Sequence, residues 1–152
     1  MIWDLLLLVA ITVVPWIELR GSIPVGVAMG YHPLLVLALA VIANCLAIFP
    51  GFLALDLLYD RWLSGIPWIR RQVERVRVKG GSYLERYELI GLTLFVGVPL
   101  PGTGAYAGTL LAWLTGLERR RAALAIAAGV IVAGVAVTLV ATGVVAALRR
   151  LF

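Results

Sequence analysis

Few residues of this chain could do chemistry, and the most conspicuous stand together. Glu18 and Arg20 sit two apart in the run Pro15-Trp16-Ile17-Glu18-Leu19-Arg20-Gly21-Ser22-Ile23-Pro24, with apolar sequence on both sides. In lipid an ionisable side chain is costly unless it is paired or lines a wet cavity. Glu18 is the sole carboxylate expected deep in the apolar sequence, which makes it the natural proton-binding group. Arg20 could hold a phosphate or carboxylate bidentately, or pair with Glu18 and simply hold the segment together. Glu18 alone favours a cationic ligand, whereas Arg20 with helix N-termini favours an anionic one. A Gln at position 18 keeps the shape without titrating, and is expected to leave folding nearly intact.

A second polar interruption follows at Val98-Pro99-Leu100-Pro101-Gly102-Thr103-Gly104. Pro99, Pro101, Gly102 and Gly104 suit a tight turn with exposed backbone groups, and Thr103 is placed to cap the helix after it. Asn44 stands in the middle of an apolar run, where its amide needs an interhelix partner or lines a pathway. Thr93, Thr138 and Thr142 are expected to bond their own helix backbone. Trp3, Trp16 and Trp113 read as interface or packing residues rather than as a cation-binding cage. Cys45 and His32 are each alone of their kind, so neither an intrachain disulfide nor a zinc site is expected. No nucleophile–base pair, metal cluster or phosphate loop is apparent, so neither an enzyme nor a cofactor is expected.

The elements that position these residues are those of a membrane protein. The 152 residues are 62% hydrophobic and 14% charged, with a mean hydropathy of +1.03, too apolar for a soluble domain of this size. Of 13 basic residues, 12 are Arg, and their placement points to membrane orientation rather than nucleic acid. Pro15 and Pro24 discourage a continuous helix across the first polar run. The arm before it, roughly 20 Å long, is too short for a hydrocarbon core of about 30 Å. Residues 1–31 therefore read as a re-entrant broken-helix hairpin, followed by a full span over 34–59. Residues 61–81 are a basic linker in which Ile69, Val73 and Val76 share a helical face, with Trp62 and Trp68 as anchors at the headgroups. Gly80-Gly81 ends it, and Ser82-Tyr83-Leu84-Glu85 matches a capping box that starts the next helix. Residues 82–115 form a second hairpin and 122–148 a second full span.

Broken hairpin plus span, twice, predicts an all-α membrane protein built as an inverted repeat of 1–60 and 82–152 in one membrane domain. Seven basic residues over 61–88 and three at Arg119–Arg121 would share one face, with Arg149 and Arg150 on the other. The positive-inside rule makes the richer face, with linker 61–88 and loop 117–121, cytoplasmic. Small pairs at Gly26/Gly30 and Gly104/Gly108, and the stripe Ala125, Gly129, Ala133, suit close helix approach. With so few helices, enclosing a pathway calls for a homodimer.

Glu18-Leu19-Arg20-Gly21-Ser22-Ile23-Pro24 and Pro99-Leu100-Pro101-Gly102-Thr103-Gly104-Ala105 resemble the two signature breaks of the small multidrug export protein family. Length, basic middle and broken-hairpin order agree over nearly the whole chain. More distantly, the architecture is similar to that of DedA-type membrane proteins. They have paired re-entrant hairpins and are linked to proton-coupled translocation of polyprenyl-phosphate lipid, but this chain lacks a buried acid in its second break. The resemblance implies an integral protein of a prokaryotic inner (plasma) membrane, with lipids and an amphipathic cargo as partners. Three functions are then in play: a proton-coupled exporter of amphipathic molecules using Glu18 and Arg20, a translocase for an anionic polyprenyl-phosphate-type lipid, and a non-transporting scaffold.

Overall fold

The computed structural model describes residues 2–79, 85–100 and 102–151, which are helical with short connections and contain no strand. Helix α1 (Ile2–Val13) and helix α2 (Glu18–Ala28) are joined by a tight turn. The N–H groups of Ile17 and Glu18 both reach the Val14 carbonyl at 3.2 Å, and positive φ at Trp16 (+89°) and Glu18 (+49°) turns the chain back. At the open end of the pair, Tyr31 Oη donates to Asp4 Oδ2 at 2.6 Å.

The break is shorter than the sequence predicts. Pro24 lies inside α2 and is exposed, and Gly21 and Ser22 are helical too. Only Pro15 of the four residues assigned to this break is in the turn. A proline here removes one intrahelical bond, to the Arg20 carbonyl, without ending an 11-residue helix packed on neighbours. Gly21 is needed for a different reason, since a β-carbon there would collide with the Ile17 side chain folded back over the turn.

Helix α3 (Pro33–Leu58) opens with Pro33 in its first turn after the extended His32, and passes into a π-turn over Tyr59–Leu63. Helix α4 (Pro67–Lys79) gives the linker the predicted helical form. Its Val73 is buried and Ile69 packs beside it, so this face meets protein rather than headgroups, while Trp62 and Trp68 stay exposed. Gly80–Leu84, with the expected helix stop and most of the capping box, lie outside the described residues, as does Pro101. Helix α5 (Glu85–Gly97) is followed by helix α6 (Ala105–Thr115), which ends on Gly116 in the left-handed conformation, φ +73°. Helix α7 (Arg119–Leu151) takes in the Arg119–Arg121 cluster, so the connection before it is shorter than the expected loop 117–121.

The contacts place the chain's ends. Asp56 of α3 accepts Trp113 Nε1–H at 2.9 Å and pairs with Arg119 at 2.6 Å, gathering the end of α3, the end of α6 and the start of α7. Asp56 is thus a joint between three helix ends. At the other end Tyr31, His32 and Pro33 face Thr142, Val145 and Ala146 across a cavity of about 410 Å³. Helix α7 is the axis. Its Gly129 admits α5 so closely that a β-carbon would lie 2.7 Å from the Thr93 carbonyl oxygen and from Val96 Cβ. Thr93 Oγ1 lies 3.0 Å from the Leu89 carbonyl in its own helix and 3.1 Å from that of Ala125 on α7. The core is small and aliphatic, from Leu19, Ile23 and Val36 to Ile126, Val130 and Ala133. Outside it lies a nearly unbroken apolar surface that includes Leu46, Phe49, Leu53, Leu124, Ile131 and Leu139. Segments 33–63 and 119–148 are each long and apolar enough to cross a bilayer.

Candidate functional site

A helix end leaves backbone groups without partners, and in an apolar slab no water is there to take them. This chain has two interrupted pairs of short helices, and each completes the ends of the other. Glu18 opens α2 and is only 3% exposed. Its carboxylate lies on the N-terminus of α6, accepting the Ala105 N–H at Oε2 (3.0 Å) and the Tyr106 N–H at Oε1 (3.2 Å). Gly104, the residue before α6, has no side chain to cap with, and a β-carbon there would fall on the Glu18 carboxylate. Glu18 therefore supplies in trans the cap that Thr103 was expected to supply locally.

Arg20 serves the other side of the same interruption. Its Nη1 donates to Glu18 Oε2 at 3.3 Å, and Nη2 to Thr103 Oγ1 at 2.9 Å and the Val98 carbonyl at 3.2 Å, with that of Val96 at 3.5 Å. Val96 and Val98 are at the C-terminal end of α5, where a cation is favoured, as an anion is at the start of α6. Thr103 Oγ1 turns back to the Val98 and Leu100 carbonyls at 2.7 and 2.9 Å. It caps the helix behind it because Glu18 has taken the one ahead. Tyr106 Oη completes the exchange by donating to the Val13 carbonyl at the end of α1, 2.7 Å away.

The meeting point encloses a cavity of about 290 Å³ lined by Pro15, Trp16, Glu18, Arg20, Gly102, Gly104, Tyr106, Ala107 and Leu110. Tyr106 and Leu110 also line a larger apolar groove of about 660 Å³ between α1, α3 and α6. Among the described residues, three buried side-chain polar atoms have no hydrogen-bond partner: Arg20 Nε, Ser22 Oγ and Asn44 Oδ1. Among the described residues no three His, Cys, Asp or Glu side chains gather where they could hold a metal ion.

The residues singled out in the sequence divide accordingly. Pro15, Glu18, Arg20, Gly102 and Gly104 line the cavity, and Thr103 is bonded to Arg20. Gly21, Ser22 and Pro24 are in α2 and absent from the lining, and Pro99 is exposed beside the turn. Asn44 is fully buried, bonds its own helix through Nδ2 to the Ala40 carbonyl at 3.3 Å, and lines neither the cavity nor the groove. Trp113 is a buried donor to Asp56. Tyr106 is a site residue that sequence reasoning missed, and Trp16 is one that it read as interface or packing. Tyr106 carried one usable signal, a hydroxyl two residues beyond the glycine that opens a helix. Trp16 carried none, because its distinction is a backbone angle.

A family model described as "Putative small multi-drug export protein" matches residues 18–136, well over half of the chain. The match begins at Glu18, immediately after the first turn, and takes in the whole of the second interruption. No curated protein and no solved structure matches the chain significantly.

Proposed function

The chain belongs to the small multi-drug export protein family, and from that premise we propose that it is an integral membrane transporter that moves amphipathic molecules through the Glu18–Arg20 site, coupled to protons at Glu18. On this reading the two interrupted pairs are re-entrant hairpins related as an inverted repeat. The end that carries Asp56, α4 and Arg119 faces the cytoplasm.

One observation carries the proposal: the joint between the two broken segments is a titratable group. A deprotonated Glu18 accepts two amides and a guanidinium, and holds the segments together. Protonation removes the charge that strengthens all three bonds and makes one oxygen a donor facing N–H groups. It also leaves Arg20 without its counter-charge. The protonated joint is weaker, and opening it exposes donors that a polar head can use. Arg20 and the two α6 amides form the kind of donor set a phosphate takes, which favours an anionic lipid headgroup as a second reading.

Glu18→Gln tests the proton step, although the structure revises what the variant does to folding. Gln can turn only one oxygen toward the two amides and leaves the Arg20 charge uncompensated, at a cost of about 2–4 kcal/mol. Transport in proteoliposomes is therefore normalised to folded protein, and the ratio of proton flux to cargo flux is read at several pH values. The variant is expected to move cargo only downhill, with no proton flux and no pH dependence. An unchanged ratio and pH profile would end the proton-carrier role. Loss of stability with no transport by the wild type would favour a scaffold.

A further inference from the structure

Trp16 stands in a position that packing within the chain does not explain. Its φ of +89° lies in the left-handed region, where a β-carbon is crowded and glycine is the usual occupant. The residue is 85% exposed. On the re-entrant reading this turn is at mid-membrane, whereas tryptophans that merely anchor a protein sit at the membrane–water interfaces. A strained, exposed residue persists where the strain serves a site, and Trp16 lines the cavity that holds Glu18 and Arg20.

We propose that Trp16 is a cargo-binding residue, presenting its indole face to a planar aromatic group lodged beside the Glu18–Arg20 pair. The proposal deepens the transport reading and rests on it for the identity of the site. The cavity, about 290 Å³, is at the small end of ligand sites, and beside Ala107 its apolar walls are ring or branched side chains: Pro15, Trp16, Tyr106 and Leu110. Tyr106 is held by its hydroxyl on the Val13 carbonyl, so it forms a fixed wall. A flat ring system gains stacking on an indole that a flexible chain of equal volume does not, and a cationic ring system gains more. The polar floor is a nearly neutral pair, so the aromatic plane is the shared feature of the cargo, and head charge is decided by comparing probes.

Glycine adopts φ +89° without crowding, so Trp16→Gly separates binding from folding. Equilibrium binding of ethidium, a planar cation, and of 8-anilinonaphthalene-1-sulfonate, a planar anion, is measured on purified wild type, Trp16→Gly and Trp16→Phe, beside melting temperature and oligomer mass. At least one probe is expected to bind the wild type and to bind Trp16→Gly about tenfold or more weakly, with Trp16→Phe restoring most of the affinity. Trp16→Gly should melt no lower than the wild type. Binding of neither probe to the wild type, equal affinity in Trp16→Gly, or a lower melting temperature or smaller oligomer in that variant would each overturn the proposal. A Trp16-dependent affinity in a protein that moves no cargo would uphold the binding site and refute transport.

Discussion

At the scale of single residues, the site rests on a contact that only glycine permits. Gly104 and Gly102 are two apart in one turn and are required for opposite reasons. Gly102 has φ +85° with nothing within 4 Å of an added β-carbon, so Gly102→Ala meets only backbone strain, about 1 kcal/mol. Gly104 touches the Glu18 carboxylate, and Gly104→Ala must push that carboxylate off the Ala105 and Tyr106 amides. Losing those bonds while Arg20 stays half-buried should cost about 2–4 kcal/mol. Thermal unfolding in detergent should place Gly104→Ala well below Gly102→Ala. Equal losses would mean that the Glu18 cap contributes little to holding the segments together.

Helices meet here by close approach rather than by large side chains, as expected where lipid and protein are equally apolar. Of the stripe Ala125, Gly129, Ala133, the first two meet α5 while Ala133 is buried, and Gly108 brings α6 onto α5, where a β-carbon would lie 2.6 Å from Val96 Cγ2. Gly26 does the same for α2 against Val36 of α3. At Gly30 of the predicted Gly26/Gly30 pair a β-carbon would meet nothing within 4 Å, so this glycine does not serve close approach and instead supplies φ +88° at a turn. Gly129→Val should therefore abolish folding, because the neighbouring atoms are Thr93 backbone and the stem of Val96, which cannot give way. Gly91→Ala, on α5 with open space around it, should be neutral or stabilise by roughly 0.5–1 kcal/mol. Yield and monodispersity of the two variants decide between this packing and a looser one.

For the molecule as a whole, the proposed topology puts Ser64 and Glu118 on one face. Asp56 links α3 to both Trp113 and Arg119, so the connections after α3 and before α7 emerge at the same end of the bundle. Single cysteines at Ser64 and Glu118, in a Cys45→Ala background, should react with an impermeant thiol reagent from the same side of sealed vesicles. Labelling from opposite sides would discard the inverted-repeat proposal.

The sequence by itself determined an all-helical membrane protein, its family and the places where its helices are interrupted. These follow from local properties: runs of apolar residues long enough to span, prolines and glycines that stop a helix, and charges too costly to stand alone in lipid. It also singled out Glu18 and Arg20, because an ion pair in apolar sequence is conspicuous without coordinates. Only the tertiary structure decided what they touch. Glu18 meets amides 87 and 88 residues away, and Arg20 meets Thr103 at a separation of 83. Chain order carries no trace of which helix end a distant carboxylate will complete. The same limit explains Thr103, whose local capping role was taken by Glu18, and Pro24, kept helical by packing that local propensity does not include. It explains Trp16 as well, since a positive φ is imposed by the turn that brings the two broken segments together.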